Sequence, residues 1–387
     1  MTLASSSGPA VAGHAVRVMV VDDSVFVRGI LSRWLADDPL FEVVATHANG
    51  RRAVEDLDRA QPDVVILDLE MPEMDGLTAL PLILKQRPST MVVVASTLTR
   101  RGAEVSLKAL TLGAADYLPK PDAGRGIAAT DEFKSELIAK VRSLGQKALR
   151  RSGRAPVVEA RPAPATPASH RPAAAAPASR GAMPERMHPY SMSPVTILAV
   201  GSSTGGPQAL TRLFTAIGPH LERLPVVITQ HMPATFTAIL AEHVSRAAGR
   251  PAAEGVDGEP LRPGHIYVAP GGRHMLIEGA GGNAKIRLSD GPPVNFCKPA
   301  VDPMFGSVAT AFRRNVLALV LTGMGSDGAK GAGVVLDAGG SVIVQDEETC
   351  VVWGMPGATA ALGNTCEVLA LDAIGRKVIR LIEGGAR

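Results

Sequence analysis

Aromatic residues are scarce: eight Phe, three Tyr and two Trp supply 3% of 387 positions. Cores must therefore be packed by Val, Leu, Ile, Ala and Met, and few rings are available as platforms for stacking nucleic-acid bases. Cysteine is scarcer still. Cys297, Cys350 and Cys366 are too few and too far apart for a disulfide framework or a zinc site, and are expected as small apolar packing residues. No charge dominates: 40 Lys and Arg against 37 Asp and Glu leave a formal +3, which gives no reason to expect nucleic acid or membrane as a partner. No apolar run approaches the roughly 18 residues of a membrane span. The opening "MTLASSSGPAVAGHAV" lacks the basic flank and apolar stretch of a secretory signal. The expected location is the cytoplasm.

What is abundant is organised in two blocks. A chain of 387 residues exceeds what one hydrophobic core usually organises. Between Arg151 and Tyr190, Ala and Pro fill 19 of 40 positions. Proline removes N–H donors and biases its predecessor away from helix, so an extended, semi-rigid linker is expected there. The expected division is a first domain over 16–135, a linker over 136–190 that is Ala/Pro-rich from 151, and a second domain over 191–387. In both blocks short aliphatic runs ("VRVMVVDD", "DVVILDLEMP", "VTILAVGSS", "PVVITQHMP", "VLALVLTGMG") alternate with amphipathic stretches. Uninterrupted apolar runs suit strands buried on both faces, the mark of parallel sheets in β-α-β units. Both halves are expected to be α/β.

In the first half Asp22 and Asp23 end one strand and Asp68 another. Ligands of open parallel sheets collect at the carboxyl ends of strands, where three converging acids repel one another unless a cation such as Mg²⁺ joins them. Each Asp also fits a helix cap. "VVVAST" adds a hydroxyl at a strand end, Ser96 or its neighbour Thr97, and "DYLPKP" adds Lys120. A carboxylate that accepts a phosphoryl group needs a metal, a cation and a hydroxyl for the new charge, and all are present.

In the second half "GSSTG", residues 201–205, matches G-x-S-x-G with Ser203 at its centre, a strand-to-helix turn that exposes a serine oxygen beside the following N–H, that of Thr204. A turn or cap role fits the same letters. A nucleophilic serine needs a base and the base an orienting acid. His231 follows the next aliphatic run, and Asp327 sits in a Gly-rich loop after a later one, where a cap of the following helix is the alternative. The order Ser, His, Asp differs from that of α/β-hydrolases. No Lys-Ser or Lys-Thr follows the glycines, and the G-x-G-x-x-G spacing is absent, which disfavours a phosphate cradle.

"VVDDS", "VILDLEMPEMDG", "VVVASTLT" and "DYLPKP", in that order over about residues 16 to 122, resemble the receiver domain of two-component response regulators. "GSSTGG", "QHMP", "VAPGGRHM", "GMGSDGAKG" and "CVVWGMPGATAAL", over about residues 194 to 385, resemble the catalytic domain of chemotaxis protein-glutamate methylesterases. The resemblance implies two doubly wound parallel-sheet domains, a flavodoxin-like receiver and a Rossmann-like methylesterase. It implies Asp68 as phosphoacceptor, Asp22, Asp23 and Asp68 as Mg²⁺ ligands, Ser96 as switch hydroxyl and Lys120 as phosphoryl contact. It also implies Ser203 as nucleophile, His231 as base, Asp327 as its orienter, and the N–H groups of Thr204 and Met324 as oxyanion donors, with no cofactor in the catalytic domain. The implied activity is hydrolysis of glutamate methyl esters, with glutamine deamidation, on cytoplasmic helices of chemoreceptors. The implied partners are those receptors and a chemotaxis histidine kinase, the enzyme being a monomer. The loop "DGPPVNFCKPAVDPMF", residues 290–305, is expected near the substrate. Two other readings are a non-catalytic phosphorelay adaptor and a transcription regulator. The first has no need of Ser203, His231 and Asp327 together, and the second lacks a basic recognition helix.

Overall fold

The computed structural model describes residues 14–120, 126–154 and 187–384. Its first part alternates strands Val16–Val21 (β1), Phe41–His47 (β2), Val64–Asp68 (β3), Met91–Thr97 (β4) and Asp116–Lys120 (β5) with helices Val25–Ala36 (α1), Gly50–Ala60 (α2), Gly76–Gln86 (α3), Arg100–Thr111 (α4) and Gly126–Arg151 (α5). The strands pair parallel in the order β2-β1-β3-β4-β5. Successive side chains of a strand point to opposite faces, so Met19 and Val21 enter one core with α2, α3 and α4, while Val18 and Val20 enter another with α1 and α5. Four helices start where the letters place a capping oxygen: Ser24, Asn49, Asp75 and Thr99 accept from the N–H of Val27, Arg52, Thr78 and Gly102.

The expected linker start at 136 is corrected. Residues 136–151 belong to α5, whose Leu137, Val141, Leu144 and Ala148 recur at helical spacing and are buried in the first domain's core. Residues 155–186 of the Ala/Pro-rich segment lie outside the described residues.

The second part contains strands Ile197–Ser202 (β6), Val226–Gln230 (β7), Ala252–Glu254 (β8), Ile266–Val268 (β9), His274–Glu278 (β10), Lys285–Ser289 (β11), Val316–Val320 (β12), Ser341–Gln345 (β13) and Glu367–Leu369 (β14). Its helices are Gly206–Ile217 (α6), Ala234–Ala248 (α7), Val301–Phe312 (α8), Ala329–Asp337 (α9), Met355–Ala361 (α10) and Leu371–Ile382 (α11). Seven strands form a parallel sheet in the order β14-β13-β12-β6-β7-β9-β8, and β10 and β11 make a separate antiparallel pair. From β6 the chain winds outward through β7, then returns to place β12 on the other side of β6. That reversal opens a crevice at the carboxyl ends of β6 and β12, the place where such sheets bind ligands. The equivalent reversal in the first domain lies between β1 and β3.

The two domains pack against each other. Tyr117 of β5 stacks on Phe236 of α7, with ring centroids 4.5 Å apart and planes 17° apart. Leu107 and Leu110 of α4 join Leu210 and Leu240 in one continuous apolar cluster. The Gln208 amide on α6 donates to the Leu110 carbonyl at 2.7 Å and to that of Ala114. From α5, Lys147 donates to the Cys350 carbonyl and Arg150 pairs with Glu347 at 2.6 Å.

Candidate active site and phosphoacceptor pocket

Ser203, His231 and Asp327 follow the carboxyl ends of β6, β7 and β12, three adjacent strands. The turn after β6 is tight because Gly205 takes φ 76°, a left-handed value that favours glycine; a Cβ there would also meet Val351 at 2.4 Å. The Ser203 N–H donates to the Thr322 carbonyl at 3.0 Å, and a Cβ on Gly323 would stand 2.8 Å from that of Ser203. The turn is thus clamped to the end of β12. Ser202 is fully buried and its hydroxyl donates to Gln230 Oε1 at 2.7 Å. The Gln230 amide nitrogen in turn donates to the Ser203 carbonyl at 2.9 Å. Ser202 therefore braces the turn, while Ser203 stays partly accessible.

His231 Nε2 meets Asp327 Oδ2 at 2.8 Å. Asp327 is buried and takes four more donors: Val301 N–H at 2.6 Å on Oδ2, and Asp302 N–H, Gly328 N–H and the Asn295 amide, each at 3.0 Å, on Oδ1. Burial works against the charge, but His231 and these N–H groups outweigh it and hold the carboxyl below its ordinary range. Burial likewise works against the imidazolium, yet the hydrogen bonds to Asp327 and Cys297 lift the His231 pKa to about 9. At the start of α9 Asp327 is joined by Asp302, whose Oδ1 accepts from Gly328 and Gly331 at 2.9 and 2.7 Å. Asp327 therefore ties the histidine to the first N–H groups of α8 and α9.

With Nε2 committed to Asp327, the other ring nitrogen, Nδ1, is the one left to receive a proton. Cys297 Sγ lies 3.4 Å from it. This corrects the expectation for one cysteine: Cys350 and Cys366 are buried, but Cys297 is only partly covered and touches His231. No hydrogen bond joins Ser203 Oγ to His231 among the described residues. Nor does any acceptor among them take the N–H of Thr204 or Met324. The Thr204 side chain is engaged elsewhere. Its hydroxyl donates to Asp116 Oδ2, at the start of β5, across 2.8 Å of buried interface. The same carboxylate pairs with buried Lys140 of α5 at 3.1 Å. Asn295, Gln230 and Asp116 were missed in sequence. Asn295 lies in the quoted 290–305 loop, but nothing in the letters aims it at Asp327.

In the first domain, ligand oxygens of Asp22, Asp23 and Asp68 lie within 4.8 Å of one another. Lys120 Nζ sits 2.7 Å from Asp22 Oδ2 and 2.8 Å from Asp68 Oδ2. Burial raises the Asp68 pKa above the ordinary carboxylate value, and Lys120 offsets only part of it. Asp22 Oδ2 is buried without a well-angled hydrogen-bond donor, so the three acids fit a hard cation that takes oxygen ligands. A cavity of about 210 Å³ is lined by Asp23, Asp68, Ser96, Thr97 and Lys120 among others. The Ser96 hydroxyl is turned onto Ser106 of α4 at 2.5 Å, and Thr97 onto Thr99 at 3.1 Å. The structure thus sets Asp23, Asp68, Ser96 and Lys120 around one cavity with Asp22 against Lys120, and joins His231 to Asp327, while Ser96 is turned onto Ser106 and Ser203 Oγ has no hydrogen bond to His231 among the described residues.

Comparison with known proteins agrees with this division. A family model described as response regulator receiver domain matches residues 18–130, and one described as CheB methylesterase matches residues 198–378. A protein-glutamate methylesterase/protein-glutamine glutaminase of group 2 operon from Rhodopseudomonas palustris is 52% identical, with 99% of each chain covered. A protein-glutamate methylesterase/protein-glutamine glutaminase from Nitrobacter hamburgensis is 54% identical over 95% of this chain and 94% of its own. Among solved structures, the CheB methylesterase catalytic domain of Thermotoga maritima is 38% identical, covering 49% of this chain and 100% of that one with a TM-score of 0.47. With likeness running through receiver and catalytic halves alike, the chain belongs to the protein-glutamate methylesterase/protein-glutamine glutaminase family.

Proposed function

We propose that this chain is a phosphorylation-controlled serine hydrolase that removes methyl groups from glutamate methyl esters, and the amide from glutamines, on cytoplasmic helices of chemoreceptors. The observation that carries the reading is the Asp327-bound His231 beside Ser203 at three neighbouring strand ends. Ser203 Oγ attacks the ester carbonyl as its proton passes to His231 Nδ1, and the Asp327 carboxylate steadies the imidazolium. The N–H groups of Thr204 and Met324 receive the developing oxyanion. His231 then returns the proton to the departing methanol oxygen, and water repeats the sequence on the acyl-serine to free the glutamate.

The receiver half sets when this happens. Asp22, Asp23 and Asp68 would hold Mg²⁺, which when bound neutralises charge on phosphoryl oxygens. The Asp68 carboxylate attacks the phosphorus of a kinase phosphohistidine or a small phosphodonor. Lys120 pairs with the new charge, and Ser96 leaves Ser106 to donate to it, which moves β4 and α4 against the catalytic domain. Because β5 and α4 form the buried interface with α6 and α7, and Asp116 holds the residue next to Ser203, that movement loosens the cover over the catalytic turn. The enzyme acts in the cytoplasm on receptors phosphorylated signalling reaches through the histidine kinase.

The test is to incubate receptor fragments carrying labelled methyl esters with the full-length protein, with and without phosphodonor, and measure released methanol. Phosphodonor-stimulated release is expected. Receptor binding without release would favour an adaptor.

A further inference from the structure

Cys297 stands where neither the ester chemistry nor the phosphoryl chemistry needs a thiol. Val294 and Cys297 exchange both backbone hydrogen bonds, at 3.0 and 2.9 Å, around a turn whose central residues Asn295 and Phe296 take φ 51° and 64°. Positive φ at both central positions is the geometry of a type I′ turn, which Asn accepts readily and Phe does not. The Asn295 amide anchors the turn to Asp302 at 2.9 Å and to Asp327 at 3.0 Å. The turn therefore delivers Sγ onto His231 Nδ1 at 3.4 Å, on a ring whose far nitrogen is fixed by Asp327. A thiol, an imidazole and a carboxylate in series is the arrangement in which the imidazole can take the thiol proton as the sulfur attacks an electrophile. Cys297 is partly exposed, whereas Cys350 and Cys366 are buried and burial pushes both of those thiols up.

We propose that Cys297 is a reactive thiol, and that its covalent modification by small electrophiles, hydrogen peroxide among them, shuts off the hydrolase by occupying the proton-accepting side of His231. The sulfur attacks one peroxide oxygen, the O–O bond breaks, and an S–O bond forms. The thiol proton passes through His231 to the departing hydroxide, so the products are a sulfenic acid and water; sulfur loses two electrons and the peroxide gains them. An excess of thiol reductant returns the sulfenic acid to the thiol, with water and a disulfide of the reductant. The added oxygen is carried on Sγ, 3.4 Å from the Nδ1 to which Ser203 must pass its proton. The consequence for activity rests on the hydrolase reading, but the reactivity of the thiol does not.

Full-length protein is treated natively with iodoacetamide or hydrogen peroxide; labelling at each cysteine is followed by peptide mass, and methanol release is scored against each protein's own untreated rate. Cys297 is expected to label first, with activity falling at least about tenfold in step, and with reductant restoring the peroxide-treated enzyme. Cys297→Ala and Cys297→Ser are expected to keep most of their own untreated rate under the same treatment. His231→Gln should slow alkylation of Cys297 by about tenfold, since the imidazole that takes the proton as the sulfur attacks is gone. Equal inactivation of wild type and Cys297→Ala, full labelling without loss of activity, or alkylation as fast in His231→Gln as in wild type would overturn the proposal. If the untreated protein releases no methanol, the hydrolase reading fails instead, and the labelling rates alone decide the reactivity of the thiol.

Discussion

Replacing Gln208 with alanine should raise the ester-hydrolysis rate of the unphosphorylated full-length protein by up to about thirtyfold. Gln208 sits on α6, makes two hydrogen bonds across the interface, to Leu110 and Ala114, and touches neither Ser203 nor the Asp68 pocket. Each bond is worth about 1 kcal/mol net, so the closed arrangement loses about 2 kcal/mol relative to the open one. At about 1.4 kcal/mol per tenfold, the open-to-closed ratio rises about thirtyfold, limited by the rate of the fully open enzyme. The assay compares initial rates of methanol release for wild type and Gln208→Ala, with and without phosphodonor. Phosphorylated wild type and phosphorylated variant should converge, because both are then open. A fragment covering Tyr190 to Arg387 should be indifferent to the substitution, because its partner carbonyls are gone. An unphosphorylated variant no faster than wild type, alongside a fragment that is faster, would refute the assignment of these bonds as part of the restraint.

Four further outcomes follow from the sites. Ser203→Ala should lower hydrolysis by roughly 10⁵-fold or more on serine-hydrolase precedent, whereas Ser202→Ala should mainly cost stability, about 1–3 kcal/mol for the stranded Gln230 carbonyl oxygen; denaturant melts and rates on both variants separate the two. His231 must be neutral to take the serine proton, so with its pKa near 9, kcat/KM should climb about tenfold per pH unit up to about pH 9, and a flat profile between pH 7 and 9 would contradict it. The stability that His231 contributes has the opposite trend: its folded pKa lies above the unfolded value of about 6.5, so the contribution is complete below that pH and is lost as pH rises through about 9, which pH-dependent melts against His231→Gln will show. Asp68→Asn should abolish Mg²⁺-dependent labelling by acetyl phosphate with the fold unchanged by circular dichroism, while Asp23→Asn should first weaken Mg²⁺ affinity; equal labelling of wild type and Asp68→Asn would rule out Asp68.

Much of this was legible in the letters because parallel strands announce themselves as aliphatic runs and place the next residue at a known edge. "VVILD" became β3 with Asp68 at its end, and "VVITQ" became β7 with His231 just beyond. Helical spacing in Leu137, Val141, Leu144 and Ala148 was also present; the neighbouring Ala/Pro composition obscured it, and α5 extends further than expected. The orientation of the His231 ring, the arrival of Cys297 at its Nδ1 and the Asp116–Thr204 bond were not legible. Each depends on contact between segments 66 to 96 residues apart, and no local pattern encodes where distant loops meet.

The Asp116–Thr204 hydrogen bond has a consequence that runs opposite to signalling. A coupling free energy is reciprocal: if phosphorylation of Asp68 favours release of Thr204, then any macromolecule that holds the catalytic crevice open must favour phosphorylation of Asp68 by the same factor. A receptor helix docked at Ser203 would thus shift the phosphorylation equilibrium of Asp68 toward the phosphorylated form. Substrate abundance becomes an input to the switch, and a cell with many methylated receptors would retain more of its enzyme in the charged form at the same kinase output.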